Sequence, residues 1–90
     1  MYKIITSKNF EKDVIRCGKR GLKLDLLYKV IELPGDNGSL PPQYRPHILS
    51  GRLQGYWECH IKGDWLLIWT KNEDQKTIAL SSTGTHSDLF

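Results

Sequence analysis

The uninterrupted apolar run Trp65-Leu66-Leu67-Ile68-Trp69 constrains this chain more than any other feature. A strand with one solvated face alternates apolar and polar side chains. This run has no polar side, so it requires contact on both faces or a place in mid-sheet. Just before it, residues 56–62 do alternate, with Trp57, Cys59 and Ile61 on one side and Tyr56, Glu58, His60 and Lys62 on the other. That pattern predicts a strand with one face on the core and one in solvent. Lys62-Gly63 suits a tight hairpin turn, since glycine tolerates positive φ, and predicts that a central strand over 64–70 returns antiparallel. Residues 72–75 read as the next turn and 76–82 as a last strand with Ile78 and Leu80 on one face, after which Gly84 is expected to let the terminal segment bend away.

The first half follows a different period. Residues 2–6 are short and β-branched-rich, and Ser7 can cap a helix beginning near Lys8. Phe10, Val14 and Cys17 then recur at three- and four-residue steps, as one buried helical stripe requires. Gly18 and Gly21 bracket a basic break at Lys19 and Arg20, and Leu22, Leu26, Leu27, Val30, Ile31 and Leu33 carry a second helical period up to Pro34. Residues 34–46, rich in Pro, Gly, Asp, Asn and Ser, read as a long surface loop. The predicted fold class is α+β: an N-terminal strand, a two-helix hairpin, then three antiparallel strands in one sheet, with the helices on one face.

The chain has 90 residues, which suits one domain over 1–90 with one core. No apolar run approaches the ~20 residues of a membrane-spanning helix, and no N-terminal stretch has a signal peptide's pattern. Cys17 and Cys59 stand in no metal-ligand spacing and read as buried hydrophobes, which fits a reduced cytoplasmic setting. Thirteen Lys and Arg against ten Asp and Glu give a net charge of +3, which favours an anionic partner without demanding one.

All three histidines, His47, His60 and His86, lie in the second half, in the loop, at an outward strand position and in the tail. Imidazoles titrate near neutrality, so three converging on an open sheet face can share acid and base roles; scattered, they would mean nothing. Asp64 opens the central strand and is expected close to His60, either orienting its ring or forming an ordinary cross-strand pair. A zinc site is not expected, because Cys59 points away from His60. Tyr56 is positioned to stack on a base, whereas Trp57, Trp65 and Trp69 read as core. Among the basic groups, Arg45, Arg52 and Lys62 lie nearest the histidines in sequence and are the best phosphate contacts, ahead of Lys19, Arg20 and Lys23.

Residues 40–90 carry a more specific pattern: His47 followed by Leu49 and Gly51, then Gly55-Tyr56, Glu58 and His60, Asp64-Trp65, Thr83-Gly84-Thr85-His86, and finally Leu89-Phe90. In order and spacing this resembles the YafQ-type toxins of the RelE superfamily. The resemblance implies a RelE-like fold, cleavage of mRNA in the ribosomal A site, inhibition by a cognate antitoxin in a hetero-oligomer, and functional roles for His47, His60, Asp64, His86 and Phe90. Two positions depart from the family pattern. Ser82 stands where the family carries an Arg before Thr-Gly-Thr-His, and Tyr56-Trp57-Glu58 stands where it often has Tyr-Arg-Asp. The missing guanidinium matters, since a hydroxyl cannot replace a bidentate cation on a phosphate.

The expected chemistry is attack of a ribose 2′-hydroxyl on its own 3′-phosphate, which needs a base, an acid and positive charge but no metal or other cofactor. His60 is cast as base with Asp64 as its orienter, His86 as acid, and His47 as phosphate ligand or alternate proton carrier; base and acid are interchangeable at this level. Two other classes remain: a ribosome- or RNA-binding module that does not cleave, and a protein whose basic helices only dock an acidic antitoxin segment.

Overall fold

The computed structural model describes residues 2–37 and 40–90. In chain order it contains β1 (Lys3–Thr6), α1 (Lys8–Lys19), α2 (Leu24–Asn37), β2 (His47–Ile48), β3 (Trp57–Lys62), β4 (Trp65–Asn72), β5 (Thr77–Thr85) and α3 (His86–Leu89). The strands form one sheet in the order β1-β5-β4-β3-β2, with β4 at its centre. Ser7 caps α1 as expected, its side-chain oxygen accepting from Phe10 N at 3.0 Å.

The apolar run is central because it serves two faces. Trp65, Leu67 and Trp69 join Phe10, Cys17, Leu27, Val30, Cys59, Ile78 and Leu80 in a single core between the helices and the sheet. Leu66 and Ile68 are equally buried but lie outside that cluster, on the opposite face. The register sets Leu66 between His60 of β3 and Gly84 of β5, and Ile68 between Glu58 and Ser82. Leu66 and Ile68 are therefore the floor of an outer face whose rim is polar.

Four expectations need correction. The sheet is not purely antiparallel: β1 pairs parallel with β5, Ile4 opposite Ile78 and Thr6 opposite Leu80. The second helix does not stop at Pro34 but runs to Asn37. The loop expected over 34–46 is correspondingly shorter and holds a 3-10 turn, Pro42–Tyr44, from which Arg45 and Pro46 lead into β2; its positions 38 and 39 lie outside the described residues. Finally, Gly84 does not bend the tail away, because β5 continues to Thr85 and the turn comes at α3. Glycine is required at 84 for another reason: a Cβ there would sit 2.9 Å from Asp88 Oδ2 and 3.0 Å from Arg16 Nη2.

Beyond Leu80, β5 has outrun β1, and α1 supplies the missing edge partner with side chains. Asp13 Oδ2 accepts from Thr83 N at 3.2 Å, while Arg16 Nη2 donates to Thr83 O at 3.2 Å and pairs with Asp13 Oδ1 at 3.2 Å. The Thr83 hydroxyl accepts from Trp65 Nε1 at 3.0 Å and donates to Leu66 O at 2.7 Å. Every polar atom of this fully buried residue is thus paired. Thr83→Val keeps the shape but strands the indole N–H and leaves the carbonyl of Leu66 without its hydroxyl donor. The expected loss is about 1–3 kcal/mol in urea unfolding with an unchanged m value, and a loss below ~0.5 kcal/mol would contradict this account.

Candidate active site

The outer face is organised by the short pairing of β2 with β3, in which His47 lies opposite Glu58. Arg45, just before β2, adopts the left-handed conformation (φ 48°), uncommon for a residue with a Cβ. Its carbonyl oxygen lies 2.9 Å from His47 Nδ1. On the other side of the ring, His47 Nε2 lies 3.1 Å from Glu58 Oε1. A carbonyl only accepts, so Nδ1 carries a hydrogen; the contact at Nε2 then holds one proton between ring and carboxylate. With that proton on the ring, His47 is an imidazolium donating from both nitrogens. Glu58 was expected in solvent, yet it is only 7% exposed. Its burial has a physical reason: β2 covers the strand's edge, and the paired imidazole makes a buried carboxylate tolerable.

His60 is half-buried on the same strand, two residues on, and its ring centroid lies 6.5 Å from that of His47. Its orienting group is not the one expected. Nδ1 lies 3.2 Å from the carbonyl of Gly63, whereas Asp64 is exposed in the turn and makes no hydrogen bond or ion pair among the described residues. The register explains this: it slips between His60 and Lys62, His60 pairs with Leu66, and Asp64 falls in the two-residue turn rather than across the ladder. Gly63, with φ 59°, supplies the positive φ at the first position of that turn. Because the Gly63 carbonyl claims a hydrogen on Nδ1, Nε2 of the neutral His60 ring is the acceptor, the tautomer a general base needs.

The tail reaches the same end of the sheet. Leu66 pairs with His60 on one side and Gly84 on the other, so two strand spacings, about 10 Å, separate their backbones. Two residues later His86 opens α3, and its ring packs on Phe90 at 5.0 Å between centroids. A capping box shapes this turn: Thr85 Oγ1 accepts from Asp88 N at 3.3 Å, and Asp88 Oδ2 accepts from Thr85 N at 2.9 Å. The same oxygen accepts from Arg20 Nη1 at 2.6 Å. Phe90 is half-exposed beside His86.

Lys62, expected on the same side as His60, is not there: after the register slip it pairs with Trp65 of the core face and lines a hollow with Gly21, Leu22, Lys23 and Leu26 on the helical side. Tyr56 is half-buried at the entrance to β3, its carbonyl accepting from Leu49 N at 2.8 Å. Arg45, Arg52 and Lys62 are exposed and form no ion pair among the described residues. Ser82 faces Ile68 across the ladder and brings no charge. Sequence reasoning missed the Arg20–Asp88 pair and the burial of Glu58. The Thr85-x-x-Asp88 spacing was a readable capping signal for the turn, but nothing local marked the pair or the burial of Glu58.

The sequence matches, over residues 2–90, the family described as the bacterial toxin of type II toxin-antitoxin systems, YafQ. It is 34% identical over 85 residues to the mRNA interferase toxin YafQ of Escherichia coli strain K12, spanning 93% of this chain and 90% of that protein. The fold superposes on a metal-bound toxin from Helicobacter pylori with a TM-score of 0.90 and 41% identity, each chain covered completely. It also superposes on YafQ in the E. coli DinJ-YafQ complex with a TM-score of 0.89 and 33% identity, covering 100% of this chain and 99% of that one. A metal does not fit the present arrangement, because no three His, Cys, Asp or Glu side chains converge among the described residues and both nitrogens of His47 are engaged. No described helix is long and apolar enough to cross a membrane.

The tail anchor has a pH signature. The Arg20 guanidinium, then the Thr85 amide, holds the Asp88 carboxyl at about 2, below its ordinary 3.8. A depressed carboxylate adds stability that is complete above its ordinary value and lost as pH falls through the lowered one. The Thr85 amide resonance is therefore expected to titrate with a midpoint near 2, and a midpoint near ~4, the value of a free carboxylate, would show that Asp88 is not held.

Proposed function

Since the chain belongs to the YafQ family of type II toxin-antitoxin toxins, we propose that it is an endoribonuclease, an mRNA interferase whose single domain, residues 1–90, cleaves RNA by 2′-hydroxyl attack. The observation that carries this reading is the 3.2 Å contact between His60 Nδ1 and the Gly63 carbonyl. With Nδ1 so committed, Nε2 is left open on the same face as the His47–Glu58 pair.

His60 Nε2 takes the proton of the ribose 2′-hydroxyl as its oxygen bonds to phosphorus. The bond to the leaving 5′-oxygen breaks, and that oxygen takes a proton from His86, giving a 2′,3′-cyclic phosphate and a free 5′-hydroxyl. RNA brings its own nucleophile, so the protein supplies proton transfer and positive charge. His47, with both nitrogens engaged, is poorly suited to carry protons; held by Glu58, it serves as a fixed cation beside the phosphate. That cation, with Arg45 and Arg52, stands in for the guanidinium missing at Ser82; Lys62, turned to the helical side, does not contribute. Asp64, free at the hairpin, accepts from a ribose hydroxyl, Tyr56 stacks a base, and Phe90 supports the ring of His86. The substrate is mRNA in the ribosomal A site, in the cytoplasm, and the DinJ complex of the relative supports a protein antitoxin as inhibitor.

The neutral Ser82 favours one other reading, a module that binds RNA or the ribosome and does not cleave, since loss of one electrostatic stabiliser costs ~10²–10³ in rate. Primer extension on transcripts in a translation extract separates the two. Wild type is expected to create new 5′ ends, and His60→Ala and His86→Ala to reduce them by ~10²–10⁴, with none on 2′-O-methyl RNA. Translation arrest without new ends would select the binding module, and cleavage of 2′-O-methyl RNA would exclude the 2′-hydroxyl as nucleophile.

A further inference from the structure

We infer that Arg20 and Asp88, which lie outside the reacting groups, are positioning residues: their pair docks the tail on α1 and so sets the place of His86. The inference rests on the nuclease reading for its catalytic consequence, and on geometry alone for the docking.

α3 has four residues, far too few to persist by itself. Its internal bonds give it a shape but not a location. The Thr85–Asp88 capping box is local to the turn, as is the bond from Phe90 N to His86 O at 3.0 Å. Among the described residues, the one hydrogen-bonding side-chain contact from α3 to the helical layer is Arg20 Nη1 to Asp88 Oδ2 at 2.6 Å. The donor is itself fixed: Arg20 is the C-cap of α1, its backbone N–H bonded to the carbonyls of Arg16 and Cys17 at 3.1 and 3.2 Å. The acceptor is close to Gly84, where no Cβ could be added without displacing Asp88. Its side chain is 14% exposed, while that of Arg20 is 47% exposed.

This geometry divides the work at Asp88. One carboxylate oxygen closes the cap on Thr85 and meets the guanidinium, so shape and docking share an atom but respond to different substitutions. Arg20→Ala leaves the capping box intact and releases the tail from α1. Asp88→Asn keeps an oxygen able to accept from Thr85 N while removing the charge. Displacement of a catalytic group by about 1 Å costs up to ~10² in rate, and this loss falls on turnover rather than on RNA binding.

The test compares wild type, Arg20→Ala, Asp88→Asn, the double variant and Arg20→Lys on one RNA, with the imidazole and phenyl resonances of His86 and Phe90 recorded for each. Arg20→Ala and Asp88→Asn are each expected to lower kcat by about 10- to 100-fold with KM within about twofold. The double variant should be no worse than either single one, as a shared interaction requires, and Arg20→Lys should restore part of kcat. In both single variants the His86 ring signals should move toward free-histidine values as contact with Phe90 loosens. Unchanged His86 signals in Arg20→Ala would overturn the docking role. A loss confined to KM, with a weaker salt dependence of RNA binding, would instead make Arg20 a phosphate contact and overturn the positioning role. If the wild type cleaves no RNA, the nuclease reading fails by itself, and the resonances still decide whether the pair docks the tail.

Discussion

The complete hydrogen bonding of Thr83 is the constraint on which the rest of this molecule depends. β1 ends opposite Leu80, and the next turn of β5 would expose unpaired backbone at the point where sheet, helix and tail must meet. Asp13 and Arg16 meet that need with a carboxylate for the N–H and a guanidinium for the carbonyl, in effect a side-chain strand laid along the edge. The hydroxyl then binds the indole of Trp65 and the backbone of Leu66. A buried polar atom left without a partner costs about 1–3 kcal/mol, so the arrangement strongly favours one position for Thr83 within the sheet.

From that fixed point the two faces of β4 take different tasks. Trp65, Leu67 and Trp69 bind the sheet to the helices, while Leu66 and Ile68 make a dry floor beneath His60, Glu58 and the β5 backbone. Chemistry placed on strands over such a floor is held more rigidly than chemistry on loops. The electrostatics follow from the same burial. Glu58, withdrawn from water, pairs with His47, whereas His60 faces a carbonyl rather than a carboxylate. Two imidazoles 6.5 Å apart thus have different surroundings, on which the proposed division between a fixed positive charge and a proton acceptor rests.

Much of this was legible in the residues, for reasons that are local. The apolar run had to be central, Ser7 had to cap, and the alternation of residues 57–61 correctly sent Cys59 inward. What was not legible is nonlocal. No pattern in residues 2–6 says whether they pair parallel or antiparallel, since that depends on where the helices return the chain. Glu58 looked solvent-facing because the strand that covers it, His47–Ile48, is too short to show a period and sits in a proline-rich segment. Asp64 looked like a cross-strand neighbour of His60 because counting residues assumes an unbroken ladder, and the slip after His60 breaks it. Arg20 and Asp88 are 68 positions apart, and nothing in either neighbourhood names the other. The family pattern points to the histidines and Phe90 as expected site residues but says nothing of the contacts that hold them.

The central claim is that the sheet's outer face and the tail form one site around one phosphodiester. It is tested most directly by following the Cε1–H resonances of His47, His60 and His86 while adding an oligonucleotide that cannot be cleaved because its scissile ribose is 2′-deoxy. The account predicts that all three move together with a single dissociation constant. Movement of His47 and His60 with His86 unaffected, at saturation, would contradict it.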